Sequence, residues 1–319
     1  MPPTINFSLQ QYYDSLSSKD VAPLWTVLDK MVPSRPNPFS TVAMWRYDSL
    51  RLPLMEAGEL ITAEEAERRV LMLVNPNREA PYTTDTIYAG LQMVLPGETA
   101  PAHRHMAFAL RFIVEGSNGF TAVEGQKLIM ARGDVILTPT WAWHDHGSEG
   151  TDPMVWLDGL DLPLYRFLPI NFAENFTESR YPSKLTSESK LKIPWSTVAA
   201  SLNADLSTFY AKYEYRLEDG SHLSRTLSAQ AERVAAGSTT PKSRETCSFV
   251  YHVYEGTGYS TIASPDGKEE KVEWREKDTF SVPAWSSISH TCTMSNGQAY
   301  LFAINDRPIV EALGLWRKG

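Results

Sequence analysis

Four of the seven histidines in this 319-residue chain lie between positions 103 and 146, as two His-x-His pairs. His103 and His105 form one pair, His144 and His146 the other. A β-strand has period two, so both rings of a pair emerge on one face. If the two strands are neighbours in a barrel, three or four imidazoles converge in its interior. Imidazole suits Zn, Cu, Ni and Fe, whereas Mg and Ca prefer all-oxygen shells. A lone histidine is usually a satisfied core or surface residue. Two pairs with matched inward phase point instead to a metal centre.

Such a centre needs strands to hold it. From Thr86 to about Leu164 the runs TIYAGLQMVL, ALRFIVEG, KLIMARG and DVILTP are short, β-rich and bounded by Gly or Pro. Turn signals recur about every ten residues, as in a sandwich or barrel. A second β-rich block spans about Thr208 to Ile304 and repeats the first. GETAPAHRH…RFIVEGSNG aligns with GSTTPKSRE…VYHVYEGTG, and RGDVILTPTWAWHDH with EKDTFSVPAWSSISH. Gly97 to Gly116 and Gly237 to Gly256 are equally spaced, so the chain carries an internal duplication. The stretch 165–205 is polar and Pro-punctuated, a linker with one or two short helices. The first 75 residues read as helical and irregular. Leu24, Val27, Leu28 and Met31 fall at helical spacing. Thr62 with Glu65 fits a capping box that predicts a helix with Ala66, Val70, Leu73 and Val74 on one face, stopped at Asn75-Pro76. The expected division is an N-terminal helical segment 1–80, a barrel 81–165, a linker 166–205 and a second barrel 206–319.

Composition narrows the function. There are 30 Lys+Arg against 38 Asp+Glu, a net charge of −8. That excess argues against a nucleic-acid partner, because a phosphate backbone wants a basic face. No stretch approaches the roughly 20 apolar residues of a membrane span. The opening MPPTINFSLQQYYDSL lacks the basic and apolar regions of a secretory signal. Cys247 and Cys292 are the only cysteines, too few for a disulfide framework, although the two could pair. A cytoplasmic protein is expected.

Gly97, five residues, His103-Arg104-His105 and then Gly116 match the first motif of the cupins. Gly133, five residues, Pro139 and then His144 match the second. The usual cupin has a Glu ligand four residues after the second His, and Ala109 stands there. Three His without Glu, the strings PAHRH, ALRF and TPTWAWHDHG, and the duplication together resemble the gentisate 1,2-dioxygenase family and its salicylate and 1-hydroxy-2-naphthoate relatives. The resemblance covers roughly residues 40–310. It implies a mainly β bicupin, two double-stranded β-helix (jelly-roll) barrels with N-terminal helices and a partly helical linker. It implies one Fe(II) per chain in the first cupin, on His103, His105 and His144. In the second half the matching positions are Ser243, Glu245 and Ile288, and His290 matches His146, so that barrel is expected to hold no metal. The implied reaction joins a small aromatic hydroxy acid to O2, opening gentisate to maleylpyruvate, in a homotetramer or homodimer.

The resemblance also distributes roles. Arg111, six residues after His105, faces inward in strand phase and matches a functional Arg; the alternative is an ion pair with Glu115 or Glu124. His146 is the candidate acid/base beside the metal. Asp158 matches an Asp that partners this His, or else is a turn residue before Gly159. Gln92 and Tyr88, four apart on one strand face, match pocket-lining positions. Arg68 or Arg69 matches a carboxylate-binding Arg, unless the pair is a solvated helix face. Met106 and Phe108 would border the pocket and alter its shape. Trp143 is a pocket candidate, although Trp141 and Trp143 also read as aromatic packing around the metal strand. Asp145 alternates outward and Cys247 is a buried small residue. A zinc or manganese cupin enzyme, or a non-catalytic metal-binding bicupin, are the competing functions.

Overall fold

The computed structural model describes residues 8–319, and MPPTINF lies outside them. The chain up to Asn37 is one compact unit and Pro38–Gly319 another. In the first unit a helix, Leu9–Ser17, is opened by a capping box between Ser8 and Gln11. The expected helix over 24–31 is broken at Val27 into a 3-10 turn, Leu24–Thr26, and a single turn, Leu28–Met31.

The second unit is two β-sandwiches. In the first, one sheet orders its strands Lys192–Ile193, Val135–Thr138, Ala109–Glu115, Met154–Leu160, Tyr88–Val94 and Val70–Met72. The facing sheet runs Ala173–Asn175, Thr99–His105, His144–Ser148, Gly119–Val123, Gln126–Ile129 and Lys184–Leu185. The second sandwich repeats the plan. One sheet runs Ala43–Trp45, Thr279–Val282, Phe249–Glu255, Gln298–Asn305, Ser228–Ala235 and Tyr210–Glu214. The other runs Ser243–Arg244, Ser287–Cys292, Thr257–Ala263 and Glu269–Arg275. Each strand shows two faces, and in the four central strands of the first sheet both are buried. One face encloses Val94, Ile113, Ile136 and Trp156 inside its barrel. The other, with Leu110, Phe112 and Leu157, packs on Phe302 and Ile304 of the second sandwich. Phe112 and Phe302 stack at 4.2 Å.

The duplication reaches beyond the barrels. Ala43–Trp45 pairs with Thr279–Val282 of the second barrel, and Lys192–Ile193 pairs with the matching strand Val135–Thr138 of the first. Each repeat thus lends its leading strand to the other. A helix follows each lent strand, Tyr47–Leu60 and Trp195–Leu202. Its first N–H is accepted by a buried aspartate of the barrel it joins: Tyr47 by Asp278 at 3.0 Å, Trp195 by Asp134 at 3.0 Å. A carboxylate there meets orphan donors and the positive end of the helix dipole. Two further buried aspartates rivet the barrels together. Asp161 accepts Phe108 N–H and Thr226 Oγ1–H, while Asp306 accepts Ser248 N–H and Thr86 Oγ1–H. Both carboxyls are pushed up to about 6 by burial.

The helix expected from Thr62 does not form. The Thr62–Glu65 hydrogen bonds are made, but they close one turn only. Glu67 takes a left-handed φ of 53°, and Val70–Met72 is drawn out as a strand against Tyr88–Val94. Pairing with a buried sheet outweighs the local helical pattern. Cys247 and Cys292 are buried free thiols. No described helix is long and apolar enough to cross a membrane.

Candidate metal centre

Thr99–His105 and His144–Ser148 are antiparallel neighbours, with His103 opposite His144. That register brings ring nitrogens of His103, His105 and His144 all within 4.8 Å of one another, forming the metal-compatible cluster among the described residues. Hydrogen bonds set two tautomers. His105 Nδ1 donates to the Ala107 carbonyl (2.7 Å) and His144 Nδ1 to the Ala142 carbonyl (2.9 Å). A ring nitrogen facing a carbonyl must carry the proton, so each Nε2 keeps its lone pair. His144 Nε2 is buried and has no hydrogen-bond partner. Burial, then the charge of Arg68, drives His103 down to about 2, and burial drives His105 to about 4. All three rings are therefore neutral near pH 7, the form that binds a metal. The donor set fits a divalent transition metal. Ala109, fully buried and on the inward face beside Thr138, puts a methyl group where a cupin carboxylate would stand.

Around this triad the sheet aligns a row of polar groups. Gly90, Asp158 and Arg111 are direct register partners across three strands and share the inward face. Arg111 is buried; its Nη1 donates to Thr138 Oγ1 and its Nε stands 3.3 Å from Asp158 Oδ1. Asp158 also accepts Trp156 Nε1–H (3.0 Å). Burial raises its carboxyl to about 6, against the pull of Arg111. Gln92 faces inward on the same sheet, and its buried amide nitrogen has no partner. A Cβ on Gly90 would lie 2.8 Å from Tyr88 Oη and 2.6 Å from Val70 Cγ1, so the glycine makes room for the tyrosine hydroxyl.

Several expectations are corrected. Asp158 does not partner His146: it holds Arg111, and His146 Nδ1 pairs with Thr121 Oγ1 at 2.9 Å. Arg111 does not pair with Glu115, which takes Arg51 and Lys277, or with Glu124, which takes Trp143 N–H. Of the two arginines, Arg68 belongs to the site. Its Nη2 contacts His103 Nδ1, lies 3.4 Å from Nε2 and bonds the Pro101 carbonyl (2.9 Å). Arg69 points elsewhere, to Glu98 and the Ile61 carbonyl. Neither sits on a helix. Phe108 lines no metal pocket; strand parity turns it into the core between the barrels. Trp143 also faces away, stacked on Tyr181 at 5.8 Å with Arg104 over its ring. Met106 lies at the turn after the His strand, its carbonyl taken by Tyr165 and its N–H by Phe172. Asp145 is on the outer side as expected, accepting Tyr181 N–H at 3.0 Å. Sequence reasoning passed over Thr121, Thr138 and Gly90. Inward strand parity with His146, Ala109 and Tyr88 is the signal that finds them.

A cupin-domain family model matches residues 90–160. Gentisate 1,2 dioxygenase 1 of Aquipseudomonas alcaligenes is 34% identical over 99% of this chain and 97% of its own length. The chain belongs to the gentisate 1,2-dioxygenase family. A gentisate 1,2-dioxygenase of Ralstonia sp is 32% identical over 96% of this chain and 93% of its own. Salicylate 1,2-dioxygenase from Pseudoaminobacter salicylatoxidans, solved as adducts with gentisate, superposes with a TM-score of 0.88 at 29% identity. That match covers 100% of this chain and 95% of the solved one. The bicupin architecture is thus that of a gentisate-family dioxygenase.

Proposed function

We propose that the chain is a ferrous ring-cleaving dioxygenase that opens gentisate, or a close hydroxybenzoate, between its carboxyl-bearing and hydroxyl-bearing carbons. One Fe(II) would sit in cupin 1, residues 81–165, on His103, His105 and His144. The second cupin, 206–319, and the linker 166–205 complete a cytoplasmic homotetramer or homodimer. The observation that carries the reading is the neutral His triad set between two inward guanidiniums, Arg68 and Arg111, with one nearby carboxylate, Asp158. That balance suits an anionic chelating substrate. Ferrous iron, which His103, His105 and His144 would hold, would supply the redox chemistry for reaction with O2.

The protein groups divide the remaining work. Arg68, at the edge of His103, turns its fork to the substrate carboxylate. Arg111 is held by Asp158 and Thr138, so its charge is fixed before substrate arrives and nothing must reorganise during reaction. His146 Nε2 is buried without a partner, and Thr121 Oγ1–H points at Met130 Sδ (3.5 Å). Thr121 then accepts His146 Nδ1–H, which leaves Nε2 as an acceptor for a second ring hydroxyl. Gln92 offers its unpartnered amide N–H to a substrate oxygen.

The test is oxygen uptake by anaerobically iron-loaded protein mixed with gentisate in air, with product absorbance in the near ultraviolet. Salicylate, 1-hydroxy-2-naphthoate and a His105→Ala control run beside it. Uptake with ring-opened product, absent in the control, is expected. Silence on all three substrates with iron retained overturns the reading.

A further inference from the structure

The second barrel holds a cavity of about 320 Å³ where its repeat partner holds the His triad. The metal positions are gone. Ser243 and Ile288 cannot ligate as imidazoles, and Glu245 is tied to Arg307 (2.7 Å) and Trp316 Nε1 (3.0 Å). The polar groups behind those positions are kept. His290 matches His146, and its register partner Ser260 matches Thr121. Ser260 Oγ accepts Trp274 Nε1–H (2.9 Å), and His290 Nδ1 (2.7 Å) is its one other partner among the described residues, so the hydroxyl proton goes to His290 Nδ1. His290 Nε2 is left as a donor, 3.9 Å from Glu232 Oε2.

Glu232 occupies the position of Gln92 and is buried. It accepts Tyr210 Oη–H (3.0 Å), Tyr251 Oη–H (3.1 Å) and Gln230 Nε2–H (2.7 Å). A carboxylate has about four lone-pair sites, and the one left over faces His290 and the cavity. A buried carboxylate without a cationic partner in contact is expensive, and nothing in packing alone calls for it. At the mouth the charge reverses. Five cationic side chains line the cavity against three carboxylates, a surplus of two, with Lys242 and Lys318 exposed at the rim. Phe249 and Tyr251 supply a flat wall between floor and rim.

We propose that this cavity binds a small hydroxylated carboxylate. Its hydroxyl donates to Glu232 and accepts from His290 Nε2, its flat carbon frame lies on Phe249, and its carboxylate meets the rim lysines. The site is separate from the metal centre and does not depend on it.

The probe is 4-hydroxybenzoate, whose hydroxyl and carboxylate lie at opposite ends of the ring, measured by equilibrium dialysis under argon on the iron-loaded whole chain. Ser243→Trp places an indole from an exposed position of the cavity wall into the cavity. It should remove one bound 4-hydroxybenzoate per chain relative to wild type, and His105→Ala should keep that Ser243-sensitive molecule. Lys242→Glu, at the exposed rim, should weaken the same binding about tenfold. Benzoate, lacking the hydroxyl, should bind there about tenfold more weakly than 4-hydroxybenzoate. Stoichiometry unchanged by Ser243→Trp, with affinity unchanged by Lys242→Glu, overturns the proposal. One molecule per chain that is Ser243-sensitive upholds it even if no dioxygenase activity is found.

Discussion

Replacing Arg68 with alanine should cripple substrate capture and spare the metal. The guanidinium lies against His103 and donates to the Pro101 and Glu67 carbonyls, so it can exchange its imidazole contact for a carboxylate. A hydrogen bond to a charged partner contributes roughly 1.5–3 kcal/mol net. Bare attraction of two unit charges about 4 Å apart at an effective dielectric near 20 gives a ceiling of about 4 kcal/mol. The lower range converts to a KM raised roughly 10- to 150-fold. Arg68→Lys should recover part of this, keeping the charge and losing the fork. Arg69→Ala is the internal control. It breaks an ion pair whose arginine is 2% exposed and whose glutamate is 20% exposed. It should cost about 2–3 kcal/mol of stability and leave KM within about twofold. The assay is initial oxygen uptake against gentisate concentration, with iron content measured on each variant. An unchanged KM in Arg68→Ala, or a raised KM in Arg69→Ala at full iron content, would refute the assignment.

Other outcomes follow from the same geometry. Gly90→Ala should displace Tyr88 and Val70, lowering stability by about 1–3 kcal/mol and oxygen uptake with it; thermal unfolding and turnover measured together check this. Phe112→Ala removes one ring of the stack between the barrels and should cost about 3–5 kcal/mol in urea unfolding, with the iron content of the folded protein unchanged. The Asp306 carboxyl is raised to about 6 by burial, so the folded state holds its proton more tightly than the unfolded chain. That contribution is present below the unfolded value near 3.9 and is lost as pH climbs through about 6. Asp306→Asn should therefore gain on wild type, by up to about 3 kcal/mol, between pH 4 and pH 7; a constant difference across that range would contradict it.

The cluster of His103, His105 and His144, the alanine at 109 and the two β-rich repeats were legible in the sequence. The repeats and the shared faces of the histidines rest on strand parity and on glycines and prolines at fixed spacing, which are local signals, while the weight given to Ala109 rests on the resemblance. That the two rings of each His-x-His pair share a face could be read without coordinates because period two leaves a strand only two faces; the choice of His103, His105 and His144 came from the resemblance to the cupin motifs. Parity also carried enough information to send Phe108 and Trp143 away from the pocket. Other matters depended on partners distant in the chain. The Thr62 capping pattern was real, but Val70–Met72 gains more by joining a buried sheet than by extending one helical turn. Arg68 and Arg69 are adjacent and chemically identical, and only the path through Glu67 aims one at His103 and the other at Glu98. Asp158 lies opposite Arg111 because two strands more than forty residues apart share a register. The exchanged strands at 43–45 and 192–193, and the aspartate rivets between barrels, are set by packing two sheets face to face. A linear pattern specifies which side of a strand a residue occupies; which neighbour waits there is decided when the sheets close.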